Sequence, residues 1–343
     1  MIQNLSIKHY KSIKELSLSP KRVNLFIGAH NTGKSNILEA LTWLSVNGLQ
    51  DNVFTQLFKV DNAGGYFHDF DKRNTIEVVT DLLSLKLRFV KNDYGVPLKK
   101  LEGILYKNNK LIEGLDDWNV VGDGISAFEL NMNNNSINYH WDDVLSPVKV
   151  YLYKKVRRWG EEWLPYLNPP FGENMLHMLQ TNEACRQIIG DILRSIGYQL
   201  PVHPVSNDIL VAKETNEGFT IQSFFTLSDS IQRYIFMLLA VTSNSNSILV
   251  FDEQWNNLYP PLVKDIGERI ATDTSNQYFL ATHNPYLLDA ILTKTPHQEL
   301  AVYITFLQDG TTHVAPCNEI IKENLIRMGS DSFFHLEELR WES

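Results

Sequence analysis

The segment NLFIGAHNTGKSN, residues 24–36, combines a short apolar run with glycine, lysine and serine at fixed spacing. These residues fit the pattern G-x-x-x-x-G-K-[ST] at positions Gly28, Gly33, Lys34 and Ser35. In that pattern the glycines let backbone N–H groups converge on phosphate oxygens, the lysine reaches the β- and γ-phosphates, and the serine binds Mg²⁺. The segment therefore predicts a nucleoside triphosphate site, with a glycine-rich turn and a surface lysine as the alternative.

A second candidate lies in SILVFDEQ, where two acidic residues follow a run of apolar residues. The apolar run predicts a buried strand. Asp252 and Glu253 emerge at its carboxyl end, which faces the ligand crevice in α/β sheets. There Asp252 can hold Mg²⁺, and Glu253 can polarise a water molecule for in-line attack on a γ-phosphate. Two adjacent acids after a strand are also common as ordinary loop residues.

A histidine, His283, follows another apolar run in the segment YFLATHNP. If the two runs form neighbouring strands of one sheet, His283 reaches the same edge as Asp252. An imidazole placed there can hydrogen-bond a phosphate oxygen or the attacking water. A satisfied histidine without a chemical role is the alternative, and it is the more common one for an isolated example.

A capping signal opens the segment LSDSIQRYIFMLLA, where Ser228, Asp229 and Ser230 precede a strongly apolar helical pattern. Serine and aspartate are good helix caps, so the residues can simply begin a buried helix. The backbone N–H groups of the same helix end can instead be presented to an anion outside the chain. The segment alone leaves both interpretations open.

Strands and helices must alternate to place these residues together. The apolar runs SILVFDE, QYFLATH and AVYITFLQ predict strands, and helical patterns near 261–271 and 318–328 lie beside them. Such alternation predicts an α/β fold with a mainly parallel sheet covered by helices. Short strands predicted at 2–8 and 23–27 supply the first part of that sheet.

The middle of the chain has a different pattern. Residues 75–153 contain runs typical of an antiparallel meander, and the Asn-rich segments KNNK and NNNS suit its hairpin turns. Residues 161–197 have apolar residues at helical spacing. We therefore predict one composite domain over 1–343, with a nucleotide-binding core at 1–50 and 201–343, an antiparallel β insertion at 51–153 and a short helical insertion at 154–200.

The charge balance limits the kinds of partner. The chain has 31 basic and 40 acidic residues, a net charge of −9, which argues against non-specific coating of nucleic acid because phosphate contacts need clustered Lys and Arg. A local basic groove stays open as a hypothesis, with a solvated loop as the alternative. Its best candidate is the segment LYKKVRRW, with Lys154, Lys155, Arg157 and Arg158.

The sequence does not indicate export or membrane insertion. The longest apolar run, YIFMLLAV at 234–241, is far shorter than the roughly 20 residues of a membrane-spanning helix. The N-terminal segment lacks the apolar core of a secretory signal. Cys185 and Cys317 are the two cysteines of the sequence, too few for a disulfide framework or a zinc site. We therefore expect a cytoplasmic protein without a membrane partner.

Taken together, the motifs resemble those of ABC-type ATPases of the SMC/RecF/OLD-like branch, which include stand-alone AAA-family ATP-binding proteins of prokaryotic anti-phage defence. The resemblance spans nearly the whole chain, and the order of its segments makes it specific. The segments are YKS at 10–12, GAHNTGKSN at 28–36, LSDSIQR at 227–233, LVFDEQWNNLYP at 249–260 and ATHNP at 281–285.

The resemblance implies ATP and Mg²⁺ as cofactors and assigns roles to individual residues. Lys34, Glu253 and His283 become catalytic residues, with Ser35 and Asp252 on the metal. The remaining residues expected to contact the nucleotide are Gly28, Asn31, Thr32, Gly33 and Asn36 of the phosphate loop (residues 28–36), Lys11 and Ser12, and Ser228 and Ser230. The last two belong to the signature segment (residues 227–233), whose helix end is expected to contact ATP bound to the opposite subunit.

Several positions depart from the pattern of the family. Ser230 stands where the signature segment usually has Gly, and His30 replaces the usual Asn of the phosphate loop. Gln254-Trp255 replaces Pro-Glu after the catalytic acid, and Tyr259 replaces a His. The glutamine loop of the family has no clear counterpart. These departures bear on the hydrolysis rate and on dimer geometry more than on ATP binding.

The resemblance implies an ATPase that forms an ATP-sandwiched homodimer or a higher even oligomer. We expect it to act as a sensor or scaffold for a separate effector, such as a nuclease, in anti-phage defence. Only 60 residues follow His283, fewer than the roughly 100 of a typical further domain, so we expect no nuclease module. A RecF-like repair ATPase that binds DNA directly is the alternative, and a module that holds ATP without turnover is a third.

Overall fold

The computed structural model of the protein describes most of the chain. The described residues are 1–340 without 46–52, 54–55, 59–62, 92–96, 108–124, 132–135, 143, 157–158, 161–162, 201–207 and 217. The Asn-rich turns of the predicted meander lie largely outside these residues, as do Arg157 and Arg158 of the basic segment.

The described residues contain strands that we number in chain order. They are β1 (Leu5–Tyr10), β2 (Ile13–Leu18), β3 (Val23–Gly28), β4 (Ile76–Thr80), β5 (Leu83–Lys91), β6 (Pro97–Lys107), β7 (Ile125–Asn131), β8 (Ser136–Asp142), β9 (Val148–Val150), β10 (Tyr198–Gln199), β11 (Leu210–Thr215), β12 (Gly218–Ser223), β13 (Ile248–Asp252), β14 (Gln277–Ala281), β15 (Leu300–Gln308) and β16 (Thr311–Pro316).

The α-helices are numbered in the same way. They are α1 (Lys34–Thr42), α2 (Met175–Thr181), α3 (Glu183–Ser195), α4 (Asp229–Thr242), α5 (Pro260–Thr272), α6 (Pro285–Lys294), α7 (Glu319–Met328) and α8 (Leu336–Leu339). Among the residues that the structure describes, no helix has the length and apolar character needed to cross a membrane.

A mainly parallel sheet forms the centre of the molecule, in the order β16-β15-β3-β14-β13-β9. Only β16, which pairs with β15, runs antiparallel to its neighbour. The central strands β3 and β14 are buried along their whole length, as expected for a sheet covered on both faces. The prediction of an α/β fold with a mainly parallel sheet is therefore confirmed.

The two faces of this sheet pack against different layers. Val23, Leu25 and Ile27 of β3 lie in one core cluster with α4, α5 and α6. The neighbouring residue Phe26 points to the other face, in a cluster with α1 and the antiparallel sheet. Successive side chains of a strand face opposite sides, so a single strand anchors both layers of the core.

The antiparallel sheet has the order β2-β1-β4-β5-β6-β7-β8. It differs from the predicted insertion at 51–153 because its first strands come from the N-terminus: β1 pairs with β4 and not with β3. Conversely β9, inside that range, joins the parallel sheet beside β13. The strand predicted at 2–8 is thus β1 of the antiparallel sheet, whereas the one at 23–27 is β3 at the centre of the parallel sheet.

The region predicted as helical, 161–197, is helical only in its second part. The helices α2 and α3 begin at Met175 and Glu183. The described residues before them contain Pro165, Pro169 and Pro170, and proline removes a helical hydrogen bond and clashes with the preceding turn. The predicted helix was therefore too long at its N-terminal end.

Candidate nucleotide site

The phosphate loop connects β3 to α1 through backbone conformations that require glycine. Gly33 caps α1 with φ of 93°, and a Cβ atom at this position would lie 2.0 Å from Oγ1 of Thr312. At Gly28 a Cβ atom would lie 2.4 Å from the carbonyl oxygen of Thr305. Both contacts come from the β15–β16 hairpin, so the back of the loop rests directly on that hairpin.

Lys34 spans the phosphate loop from the first turn of α1. Its buried Nζ atom donates hydrogen bonds to the carbonyl oxygens of Gly28, at 3.0 Å, and Ala29, at 2.8 Å. Burial lowers the pKa of this ammonium, and the charges of Glu253 and Asp252 oppose that shift. A cation is therefore held where the backbone N–H groups of the loop and of the helix end converge, an arrangement that suits an anion.

The loop and the end of β13 meet at Ser35 and Asp252. The Oγ atom of Ser35 donates a hydrogen bond of 3.1 Å to Oδ1 of Asp252, across 217 residues of sequence. The described residues contain no cluster of three or more His, Cys, Asp or Glu side chains suited to a metal ion. A hydroxyl and one carboxylate nevertheless fit Mg²⁺, which usually keeps several waters and binds substrate phosphates with few protein ligands.

Glu253 and His283 lie together at the edge of the parallel sheet. The register of β13 and β14 pairs Asp252 with Ala281, so the residues that follow each strand meet, as predicted. The Oε2 atom of Glu253 accepts the backbone N–H of His283 at 3.3 Å. Its Oε1 atom is buried, has no hydrogen-bond partner among the residues that the structure describes, and lies 3.5 Å from Nε2 of His283.

The environment of this pair changes both pKa values. Burial raises the pKa of Glu253, and the charge of Asp252 adds to the effect. Burial also lowers the pKa of His283 to about 4, with the charges of Lys34 and His30 acting in the same direction. The imidazole is thus neutral at pH 7. Glu253 also has a positive φ of 51°, a conformation that non-glycine residues adopt mainly where the surrounding structure enforces it.

Most of these groups line one cavity of about 470 Å³, although Gly28 and Asp252 are not among its lining residues. It is lined by residues 30–36, Glu253, Asn256 and His283. The loop, the general base candidate and the histidine predicted from separate segments therefore face the same space. Asn256 is an addition, because it lies within the segment 249–260 but was not predicted as a site residue.

The turn between β1 and β2 contacts the loop through Ser12 and not through Lys11. Asn36 donates a hydrogen bond of 2.6 Å to Oγ of Ser12. The Nζ atom of Lys11 instead forms a 2.6 Å ion pair with Glu39 of α1, and both side chains are nearly buried. Neither Ser12 nor Lys11 is among the residues that line the cavity. In this structure Lys11 pairs with Glu39, and its expected contact with the phosphate or ribose side of the nucleotide stays a prediction.

The signature segment lies apart from this cavity in the same chain. Ser228 is exposed and caps α4, where its Oγ atom accepts the N–H of Ile231 at 3.4 Å. Ser230 accepts the backbone N–H of Tyr259 at 2.9 Å. Neither serine lines the cavity, so the structure of one chain does not bring them to the phosphate loop.

Two supports of the site were not predicted from the sequence. Thr32 shares a hydrogen bond of 2.7 Å with Thr305 on β15, and Thr312 on β16 donates to the carbonyl oxygen of Thr32 at 3.2 Å. Threonine is common in strands, so nothing in the sequence distinguishes these two residues from ordinary strand positions. They fix the loop to the β15–β16 hairpin.

The second support joins the end of β13 to the signature segment. Gln254 donates to the carbonyl oxygen of Asp252 at 2.7 Å and accepts the N–H of Tyr153 at 2.9 Å. The hydroxyl of Tyr153 then donates to the buried Gln232 at 3.2 Å, and Gln232 donates to the carbonyl oxygen of Leu227. The departure at Gln254 is therefore part of a hydrogen-bonded path between the two motifs.

The chain matches two family models and is similar to several known proteins. A family model described as "AAA domain, putative AbiEii toxin, Type IV TA system" matches residues 104–289, and one described as "AAA ATPase domain" matches residues 1–119. An ATP/GTP phosphatase of Helicobacter pylori is 29% identical over 108 residues, which are 27% of this chain and 29% of that protein. The DNA replication and repair protein RecF of Azobacteroides pseudotrichonymphae is 21% identical over 363 aligned residues, covering 89% of this chain and 98% of that protein.

Solved structures of SMC head domains also resemble the chain. The head domain bound to the C-terminal winged-helix domain of ScpA has a TM-score of 0.47 and 14% identity, and covers 93% of this chain and 98% of that one. The head domain from Thermotoga maritima has a TM-score of 0.41 and 12% identity, and covers 92% of this chain and 99% of that one.

The sheet and the phosphate loop define an ATPase of the P-loop class with an ABC-type fold. Among P-loop ATPases, the matches to the family models and to the RecF relative show which family this chain belongs to. The chain belongs to the family of AAA-domain ATPases, and over most of its length it is similar to a RecF protein.

Proposed function

We propose that this ATPase binds ATP with Mg²⁺ in the cavity between the phosphate loop, Glu253 and His283, and that it hydrolyses the nucleotide there. One observation carries the proposal: the 3.1 Å contact between Ser35 and Asp252 joins the loop to the strand that carries the candidate base. Ser35 and Asp252 would hold Mg²⁺, which neutralises charge on the phosphates when bound. The backbone of Gly28, Asn31, Thr32, Gly33 and Asn36 would contact the phosphates. Ser12, which is bonded to Asn36, and Lys11, which pairs with Glu39 of α1, would contact the phosphate or ribose side of the nucleotide.

In the proposed reaction Glu253 accepts a proton from a water molecule through its unpartnered Oε1 atom. The water oxygen forms a bond to the γ-phosphorus while the bond from that phosphorus to the bridging oxygen of ADP breaks. Lys34 stabilises the charge on the phosphate oxygens. His283, neutral at pH 7, donates or accepts one hydrogen bond at the γ-phosphate or the water. The products are ADP and inorganic phosphate.

We further propose that two chains combine around ATP. The exposed Ser228 and the N-terminal end of α4 lie outside the cavity of their own chain, and such a helix end favours an anion. In a two-fold dimer, Ser228 and Ser230 of one chain would close the phosphate side of the cavity in the other chain. The N-terminal end of α4 would then be capped by Ser228 within its own chain and would also contact the phosphate bound to the other chain.

The dimer would report its nucleotide state to a separate effector protein, as a sensor or scaffold in anti-phage defence. A family model whose description names a putative toxin of a toxin–antitoxin system supports a chain that acts together with a second protein. The second candidate function is direct DNA binding, favoured by the RecF relative that aligns over 98% of its length. The net charge of −9 weighs against this candidate.

Phosphate release with Mg²⁺-ATP tests the ATPase proposal. We expect turnover by the wild-type chain, none by Lys34→Ala, and normal turnover by Lys264→Ala, an exposed lysine on α5. Glu253→Gln should bind ATP, hydrolyse it at least about 100-fold more slowly and accumulate as a dimer in size-exclusion chromatography. Unchanged turnover in Glu253→Gln would refute the role of Glu253 as the base.

Filter binding of DNA at increasing salt, with and without ATP, tests the second candidate function, direct DNA binding.

A further inference from the structure

A second imidazole lies against His283 inside the cavity. The rings of His30 and His283 have centroids 4.5 Å apart and are tilted by 31°, within the range of favourable ring contacts. His30 is the third residue of the phosphate loop and is exposed. Both rings line the cavity that contains Lys34 and Glu253. The alternative interpretation is that His30 is an exposed loop residue whose contact with His283 has no role.

The surroundings of His30 argue for a fixed position. The loop that carries it is held by Thr32, whose hydroxyl donates to the carbonyl oxygen of Ala29 at 2.9 Å and also meets Thr305 on β15. Because this loop rests on the β15–β16 hairpin, the backbone on both sides of His30 is restrained. The Cα atom from which the ring of His30 extends toward His283 is therefore held in place.

His283, in contrast, has few restraints on its ring. Phe333 has its ring centroid 6.3 Å away, at an angle of 47°, and Nε2 lies 3.5 Å from Oε1 of Glu253. That distance is too long for a strong hydrogen bond. His30 is thus the ring in closest contact with His283 among those that the structure describes nearby.

We propose that His30 is a positioning residue of this ATPase, whose ring stacks on His283 and keeps the Nε2 atom of His283 beside Oε1 of Glu253. The inference rests on the proposed function and adds a residue to it. His30 acts through His283 and not on the nucleotide, and the effect on kcat is assigned to the contact of its ring. Removal of the ring should therefore slow hydrolysis and leave nucleotide binding nearly unchanged.

Three variants separate this role from others. His30→Ala removes the ring, His30→Phe keeps a flat ring without nitrogen atoms, and His177→Ala is the matched control. His177 packs against Trp163, with ring centroids 4.3 Å apart and a tilt of 53°, and does not line the cavity. Each variant is measured for kcat and KM of phosphate release, for affinity to a fluorescent non-hydrolysable ATP analogue, and for the His283 resonance in spectra of ¹³C-histidine-labelled protein, assigned with His283→Gln.

We expect His30→Ala to lower kcat at least about fivefold, to change KM and analogue affinity less than about twofold, and to move the His283 resonance. His30→Phe should recover most of kcat, and His177→Ala should match the wild type. An unmoved His283 resonance in His30→Ala would overturn the stacking role, and so would a moved resonance with unchanged kcat. Failure of His30→Phe to recover kcat would assign the effect to the ring nitrogens and also overturn it. A wild-type chain that releases no phosphate refutes the proposed function itself, and this is known before any variant is compared.

Discussion

At the scale of single residues, the position of the candidate base could be predicted and its partners only in part. Asp252, Glu253 and His283 come together because two apolar runs form adjacent parallel strands, which sequence patterns can indicate. The ion pair between Lys11 and Glu39 could not be predicted. Glu39 competes with any phosphate for the ammonium of Lys11, and no motif marks it. Such pairings depend on side-chain geometry that a motif does not contain. The neutral state of His283 is a further consequence of burial.

This neutral state predicts how stability depends on pH. The unfolded imidazole has a pKa of about 6.5, whereas burial lowers the pKa of His283 in the folded chain to about 4. Between these values the unfolded state binds a proton that the folded state does not, so the free energy of unfolding decreases as the pH falls through this window. His283→Gln should lack this decrease, as measured by urea unfolding at pH values above and inside the window.

The titration of Glu253 also contributes to the pH dependence of stability, so its carboxyl must be absent from both proteins that are compared. Burial raises the pKa of Glu253, so this carboxyl contributes in the opposite direction, favouring the folded state as the pH falls. The test therefore compares Glu253→Gln with the double variant Glu253→Gln/His283→Gln. Parallel pH profiles for the two would show that His283 titrates normally in the folded chain.

At the scale of elements, prediction succeeded where local pattern decides and failed where distant pairing decides. The apolar runs of β13, β14 and β15 were predicted as strands, because uniform burial leaves a clear signal. Assignment of β1 to the antiparallel sheet was missed, since β1 could pair with either sheet on local grounds. The support of the phosphate loop by Thr305 and Thr312 was missed for the same reason. It depends on contacts across more than 270 residues.

The contact between the phosphate loop and the β15–β16 hairpin predicts a contrast between two glycines. Gly33 has φ of 93°, and a Cβ atom there would lie 2.0 Å from Oγ1 of Thr312. Gly310 has φ of 75°, and no atom in the described part of the chain lies within 4 Å of such a Cβ. Gly310→Ala should cost about 1–2 kcal/mol from backbone strain alone and leave ATP binding unchanged.

Gly33→Ala carries the same strain and adds a steric clash, so it should destabilise the chain more and abolish binding of the ATP analogue. Thermal unfolding and analogue titration measure the two effects. Truncation of the neighbour in Gly33→Ala/Thr312→Ala should recover part of the stability. Equal behaviour of Gly33→Ala and Gly310→Ala would mean that the hairpin does not support the loop.

At the scale of the whole molecule, the separation of the two nucleotide motifs is the main feature. The phosphate loop and the end of β13 face one cavity, whereas Ser228 at the start of α4 is exposed elsewhere on the chain. Within the described structure the signature segment is joined to the segment 249–260 in two ways. Ser230 accepts the backbone N–H of Tyr259, and a longer path runs through Gln254, Tyr153 and Gln232. Such a path could transmit a change at the cavity to the helix end. In a composite site between two chains, each helix end would contact the partner's nucleotide. A change at the cavity of one chain would then reach the nucleotide bound to the other chain.

Complementation between two inactive variants tests the composite site. Lys34→Ala disables the phosphate loop of its own chain. Ser228→Asp keeps a good helix cap but places a carboxylate where the partner's γ-phosphate is proposed to bind, so it should be inactive while still binding ATP. In an equimolar mixture, half of the dimers pair the two variants, and each such dimer has one intact site of its two. The mixture should therefore recover about a quarter of wild-type phosphate release, whereas either variant alone recovers none. Ser228→Asn, which keeps the cap without the charge, is the control and should retain activity. A mixture as inactive as its components would mean that each chain completes its own site.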